Sequence, residues 1–387
     1  MQSALLSVKK SQEVFFELLR TGLWGANGNH NHNQNDNLYE SVYWSEVYRL
    51  AEEQSVVGLI ADGIDRFKAQ VSGFSIPQEW ALQFVGSALQ LEQRNKAMNE
   101  SLAQLVEKLR RNGVYTLLVK GQGIAQCYDR PLWRACGDID LLLSTDNYEK
   151  AKAVLLPLAS QVEPEYEGFK HLGMTIDGTV VELHGTMHSR LSKRIDRGID
   201  EAQDECFIQG EVRSWMNGST QIFLPAANQD VIFVFTHILH HFFIEGVGLR
   251  QVCDWCRLLY CYRYKLDIQR LESRIRKMGI MSEWKTFAAL AVSTLGMPRD
   301  AMPLYDSNSK WIRKADKVLQ FILETGNFGH NRRDDSFLKK SFIGRKASSL
   351  WLHTKDNIRQ IAIFPMDSIR VWWGMVTTGL YEAVRGK

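Results

Sequence analysis

The chain has 387 residues, 45% of them hydrophobic and 24% charged, an ordinary globular composition that excludes wholesale disorder and leaves room for two or three domains. With 47 basic and 44 acidic side chains the formal net charge is +3, which argues against a protein that holds a long nucleic acid by bulk charge, though not against a local basic pocket. The six cysteines, at 127, 136, 206, 253, 256 and 261, are sparse for this length and no signal-peptide pattern opens the chain, so they read as reduced thiols of a cytoplasmic protein.

Residues 1–112 read as a helical region, with helix-period apolar residues in "SQEVFFELLRTGL" and in "SEVYRLAEEQSVVGLIADGIDRF". Between these lies a polar Asn/His/Gly tract, 25–37, which reads as a surface loop, with metal binding by its histidines as the alternative. From Pro77 to Asn112 the pattern is one long amphipathic helix with Gly113 as its stop. The pattern changes over 113–200. "VYTLLV" is a short strand, "GQGIAQCYD" a short helix and "DIDLLL" a second strand. "TDNYEKAKAVLLPLA" is a helix in which Asp146 and Glu149 have capping-box spacing. "GFKHLGMTI" and "TVVELHG" pair as a hairpin around Asp177-Gly178. From 201 to 387 the chain reads as helical again, over 228–244, 249–263, 267–277, 281–295 and 310–325, with a less regular tail. The longest apolar runs, 231–243 and 369–381, fall short of the roughly 20 apolar residues a membrane span needs and read as core helices.

Two carboxylates, Asp138 and Asp140, open the second strand. Alternation puts them on one face and Ile139, Leu141 and Leu143 on the other. An acid pair on a short strand suits Mg²⁺ or Mn²⁺ rather than Zn²⁺; a solvent-exposed pair at a strand end is the plainer alternative. The hairpin adds to the first reading. With a turn centred on Asp177-Gly178, opposed residue numbers sum to 355, so Glu182 faces Gly173 and His184 faces His171, all on one face. Glu182 then has no bulky side chain opposite it and can reach a neighbouring strand. Just upstream, Lys120-Gly121 sits at a strand-to-helix turn, where backbone N–H groups and a lysine could receive phosphate and Gly121 and Gly123 allow close approach. Arg130 and Arg134, in the connector before the acids, could clamp phosphate oxygens or pair with local acids.

Three further groups stand out. His237, His240 and His241 share a helix face without an acid at matching spacing, so they read as a Zn²⁺ site or as polar residues where this helix meets the α/β unit. With His171, His184, Arg250 and Asp254 they could line a substrate pocket beside the acids; Arg250–Asp254 as an intrahelical ion pair is the alternative. "CDWC" (253–256) lacks a thioredoxin-like context and reads as buried thiols, and "VWWGM" (371–375) reads as core rather than a base-stacking platform.

"VKGQGIAQCYDRPLWRACGDIDLLL" followed by "KHLGMTIDGTVVELH", which together lie within residues 119–184, resembles the nucleotidyltransferase superfamily of DNA polymerase β type, and most closely its bacterial branch of uncharacterised nucleotidyltransferases. The pattern is a Gly-containing turn after the first strand, then Gly-Asp-[hydrophobic]-Asp, then a third acid on a later strand. "GLRQVCD" (248–254) is also similar to this branch. The resemblance implies an α+β fold: a small mixed-sheet core of strand, helix, strand, helix and hairpin (113–200), embedded between helical regions at 1–112 and 201–387. It implies two-metal transfer of a nucleoside monophosphate from an NTP to an unidentified hydroxyl or phosphate acceptor, with Mg²⁺ or Mn²⁺ on Asp138, Asp140 and Glu182. Lys120, Gly121, Arg130 and Arg134 are then the expected phosphate contacts. The chain departs from the superfamily at the turn, where Lys-Gly stands in place of Gly-Ser. The alternative is a catalytically silent nucleotide-binding, regulatory or interaction module on the same fold.

Overall fold

The computed structural model describes residues 2–25, 39, 42–71, 74–165, 170–327 and 342–384. Apart from Gly25, the Asn/His tract falls outside the described residues. Four helices come first: α1 Gln2–Trp24, α2 Trp44–Glu53, α3 Val57–Gln70 and α4 Gln78–Arg111. The periodic run over 45–67 forms two helices. The break falls at Gln54–Val56, where Ser55 takes a positive φ of 55°. It is set by tertiary bonds: the fully buried Gln54 accepts the Leu249 N–H through Oε1 at 2.9 Å and the Arg250 N–H through its carbonyl at 3.3 Å. The long α4 runs as its sequence suggests. Pro77 precedes it, Lys108, Arg110 and Arg111 complement the dipole in its last turn, and Gly113 (φ +71°) turns the chain out.

The α/β unit follows: β1 Leu117–Val119, α5 Gly121–Ala125, β2 Ile139–Leu142, α6 Thr145–Leu155, β3 Gln161–Val162, β4 His171–Ile176 and β5 Thr179–His184. These strands form one mixed sheet in the order β1-β2-β5-β4-β3. Among the described residues only the β2–β5 pair is parallel, and its crossover contains α6. The β4–β5 register is the one the hairpin arithmetic gives, with His171 opposite His184 and Gly173 opposite Glu182. Asp177 and Gly178 both have positive φ, as a type I′ turn requires. One local expectation fails. The helix α6 starts at Thr145 with Ser144 before it, so Asp146 lies inside the first turn and cannot cap.

After α7 (Lys193–Phe207), residues read as helical turn out to be a second hairpin, β6 Val212–Asn217 with β7 Thr220–Pro225. Gly218 (φ +61°) takes the first central position of its two-residue loop. Ile222 and Leu224 point into the core beneath the sheet. Then come α8 Ala227–His240, a π turn His241–Glu245, α9 Leu249–Tyr262, α10 Ile268–Met278, α11 Met281–Ser293, α12 Ser309–Thr325, α13 Phe342–Ile361 and α14 Pro365–Val384.

The fold is α+β, with two apolar cores. One lies under the sheet, where Ile139, Leu141 and Leu143 of the acid-bearing strand meet α4, α6 and β7. The other joins α1–α3 to the helices that follow β7. The cysteines at 127, 136, 206, 253 and 256 are buried free thiols and Cys261 is exposed. Burial pushes the Cys253 and Cys256 thiols up, so the "CDWC" thiols are inert core residues as expected. "VWWGM" divides: Val371 is buried, but Trp373 is 64% exposed. Among the described residues no helix is long and apolar enough to cross a membrane.

Candidate active site

The site forms at the edge where β1, β2 and β5 run side by side. On β2, Asp140 pairs in register with Val119 of β1 and with Glu182 of the parallel β5. Asp138 precedes β2 by one residue and shares the face of Asp140. The ligand oxygens of Asp138, Asp140 and Glu182 all lie within 4.8 Å of one another. Sequence alternation thus places the acids, and the parallel pairing brings the third to the other two.

A cation stands among them. Lys120 directly follows β1, and its Nζ lies 2.7 Å from Asp140 Oδ1. Burial alone would lower the Lys120 pKa; the charges of Asp140, Glu182 and Asp138 instead hold it well above the usual lysine range. The lysine has φ +59° and ψ −148°, a backbone region close to one that is nearly reserved for glycine. Lysine therefore occupies a strained position to bring its charge to the acids. The turn that sequence alone suggested for phosphate aims its lysine inward. The helix behind it, α5, has only five residues, and Gly123 serves packing: a Cβ there would meet Leu224 Cδ2 at 2.3 Å.

Histidines flank the acids on the other side. His184 Nε2 lies 2.8 Å from Asp140 Oδ1 and 3.3 Å from Glu182 Oε2, and His171 Nε2 lies 3.2 Å from the same Glu182 oxygen. Burial raises the Glu182 pKa, but hydrogen bonds to His171 and His184 and the Lys120 charge outweigh it and hold this carboxyl well below the usual range. Burial would likewise lower His184; its bonds to Asp140 and Glu182 reverse this and raise it. Asp138 behaves oppositely to Glu182. The neighbouring Asp140 charge and then burial push it up to about 6.

Two adjoining clefts open on this cluster and share Lys120, Asp138 and His237. The first, with about 490 Å³ of empty space, is walled by Gly121, Arg134 and Asp140 on one side and by Val234, Ile238, Arg250 and Asp254 on the other. The second, about 1050 Å³, holds His171, Glu182, His184, Thr186, His240 and His241 among its walls. The expected pocket residues His171, His184, His241, Arg250 and Asp254 do come together around the acids.

Their pairings differ from the expectations. Asp254 does not pair with Arg250. It takes a two-pronged ion pair from Arg134 (Nε–Oδ1 3.0 Å, Nη2–Oδ2 2.5 Å) and the Tyr128 hydroxyl at 2.8 Å. Arg250 donates Nη1 to the Ala135 carbonyl at 2.9 Å, and its Nε is buried with no partner among the described residues. Arg130 faces away from the clefts, ion-paired to Asp62 and Asp65 and stacked 4.4 Å over Trp133. His241 Nδ1 lies 3.0 Å from Glu245 Oε2, and His237 Nε2 lies 2.9 Å from His241 Nε2. Burial, then the charges of Lys120 and His241, hold His237 neutral. Sequence reasoning missed Glu245, although it stands four residues after His241, a spacing that the π turn retains as a contact. It also missed Tyr128, for which no sequence signal existed, because its partner is 126 residues away.

The mixed sheet, the Gly-Asp-Ile-Asp segment and the third acid on a parallel neighbouring strand define a protein of the nucleotidyltransferase superfamily, carrying an acidic cluster able to bind metal. Within it, the chain belongs to the family described as uncharacterised nucleotidyltransferase, whose model matches residues 40–296. Comparisons with curated proteins and with solved structures found no match.

Proposed function

We propose that this protein is a divalent-metal-dependent nucleotidyltransferase that moves a nucleoside monophosphate from an NTP to a hydroxyl or phosphate acceptor, a small molecule or a protein. The observation that carries this reading is the convergence of Asp138, Asp140 and Glu182, from two segments about forty residues apart, to within 4.8 Å in a chain of this family. The donor set fits the metal: three hard carboxylates suit Mg²⁺ or Mn²⁺. Three acids facing the one lysine leave an excess of negative charge, of which the raised Asp138 is the sign. Asp138, Asp140 and Glu182 would hold the cations, which when bound neutralise triphosphate charge and acidify the acceptor hydroxyl.

The chain's own groups divide the remaining work. Glu182, held low by two imidazoles and Lys120, stays an anion and suits a ligand's part. Arg250 lines the first cleft with a guanidinium whose buried Nε has no partner among the described residues, which makes it the side chain there best suited to meet a phosphate. Arg134 acts from behind, holding Asp254 and with it the helical wall that α9 supplies. Near-neutral net charge favours a small acceptor or a protein over a long nucleic acid.

One observation favours the second reading, a catalytically silent nucleotide-binding module: Lys120 Nζ already stands 2.7 Å from Asp140, an internal counter-ion for the acids. The experiment that separates the two supplies NTPs labelled at the α-phosphate, with Mg²⁺ or Mn²⁺, to the protein and a cell extract as acceptor source. The Asp138→Ala/Asp140→Ala variant runs beside it. Transfer by the wild type should fall to background in the variant. Equal labelling by both would sink the proposal, and metal-dependent NTP binding without transfer would favour the silent module.

A further inference from the structure

We propose that the histidine side of the cluster is a metal site of its own: His171, His184 and Glu182 bind one transition-metal ion of borderline softness, Zn²⁺ or Co²⁺, in preference to Mg²⁺. The antiparallel register sets His171 directly opposite His184, with Glu182 two residues along β5 on the same face. Both imidazole Nε2 atoms stand beside a single carboxylate oxygen, Glu182 Oε2, at 3.2 and 3.3 Å, and His184 Nε2 stands nearer still, 2.8 Å, to Asp140 Oδ1. The three ligand atoms lie within 4.8 Å of one another.

Spacing and chemistry agree on the kind of ion. Ligands about 2.0–2.1 Å from a tetrahedral Zn²⁺ stand about 3.3–3.4 Å apart. Neighbouring ligands of an octahedral Mg²⁺ stand about 2.9 Å apart, closer than either contact to Glu182. Two imidazoles with one carboxylate are ligands for Zn²⁺, Co²⁺ or Mn²⁺, whereas Mg²⁺ dehydrates poorly for nitrogen donors. All three residues line the larger cleft, together with Thr186 and His237, so an ion held there would be open to a bound ligand rather than closed off as a structural site. A Glu182 carboxylate that merely accepts two imidazole hydrogen bonds has the same distances, and experiment separates the two arrangements.

This inference deepens the proposed function by sharing Glu182 with it, so the test keeps the two apart. The full-length protein is dialysed against Zn²⁺ in the presence of excess Mg²⁺, and bound metal is measured alongside NMR of ¹⁵N-labelled histidine. One Zn²⁺ per chain should remain, and the Nε2 signals of His171 and His184 should shift together. His171→Gln, which keeps a hydrogen-bond donor toward Glu182, should weaken Zn²⁺ at least about tenfold, since even an outer partner of a metal ligand is worth that much. Asp138→Asn should abolish Mg²⁺-dependent NTP turnover yet keep Zn²⁺ affinity within about threefold, well under the tenfold that marks a lost ligand interaction. Unmoved His171 and His184 signals, whether Zn²⁺ binds elsewhere or not at all, overturn the inference. So does displacement of Zn²⁺ by Mg²⁺. Neither result touches the nucleotidyltransferase reading, which falls only if turnover is absent or independent of Asp138.

Discussion

Lys120 is the residue on which the site's electrostatics turn. It is mostly buried, it carries the only lysine charge lining either cleft among the described residues, and it holds a backbone conformation that L-residues avoid. Removing one partner of a buried ion pair costs about 3–5 kcal/mol, and a residue in such a backbone region stores about 1–3 kcal/mol of strain. Lys120→Met should therefore lower unfolding free energy by several kcal/mol in urea, and Lys120→Gly by about 1–2 kcal/mol less, because glycine releases the strain. Mg²⁺ should restore more stability to either variant than it adds to the wild type, since it replaces the missing charge among three acids. Equal losses in the two variants would show that the backbone is unstrained.

Helix α3 shows how one glycine type does opposite things in two elements. A Cβ on Gly63 would stand 2.0 Å from the Leu18 carbonyl oxygen, and one on Gly22 of α1 would stand 2.1 Å from that of Leu59. The two helices thus cross backbone to backbone, and no flexible side chain can yield. Gly86, on α4, has nothing within 4 Å of its added Cβ. Alanine gains about 1 kcal/mol over glycine inside any helix. Gly86→Ala should keep that gain and raise the urea midpoint. Gly63→Ala should lower it, because overpacking of about 1–3 kcal/mol exceeds the gain. The strand elements are ruled by register instead. Asp177-Gly178 sets which residues of β4 and β5 face each other, and one slip would send Glu182 to the other face.

At the scale of the molecule, the C-terminal helices are tied to the second core through a pair of acids. The Glu283 carboxyl of α11 is buried, and burial, then the Asp367 charge from α14, push it up to about 8. Lys314 of α12 faces the same carboxyl and lowers it only in part. A carboxyl whose folded pKa is raised stabilises the fold fully below its unfolded value of about 4.5 and loses that contribution as pH rises through about 8. The difference in unfolding free energy between wild type and Glu283→Gln should therefore shift against the wild type from pH 5.5 to 8.5, by no more than about 1.4 kcal/mol per pH unit. A difference independent of pH would mean that Glu283 is not held protonated in the folded state.

Much of this architecture was legible in the chain because it depends on neighbours in sequence. Alternation around Asp138 and Asp140, the helix α4 between Pro77 and Gly113, and the β4–β5 register follow from side-chain period and one two-residue turn. The hairpin β6–β7 was equally local. Asn217-Gly218-Ser219 carries a turn signal that the surrounding helical pattern concealed, and its alternation of Trp215 with Met216 and of Ile222 with Phe223 is that of a half-buried strand pair. Partners far apart in sequence were not legible. That Lys120 turns inward to Asp140, that Asp254 belongs to Arg134 and not to Arg250, and that Arg130 faces the Asp62 helix are choices among charges of similar kind. Period and spacing say which face a side chain takes. Only tertiary packing decides which of several opposite charges it finds there, because Coulomb attraction has no sequence code and goes to whichever partner burial brings within reach. The sequence by itself determined an α+β protein with two acids on one strand face and Glu182, His171 and His184 on one hairpin face; the tertiary structure decided that the parallel β2–β5 pairing joins those faces and that Lys120 turns in among them, because strand pairing and burial act between segments that no spacing in the chain connects.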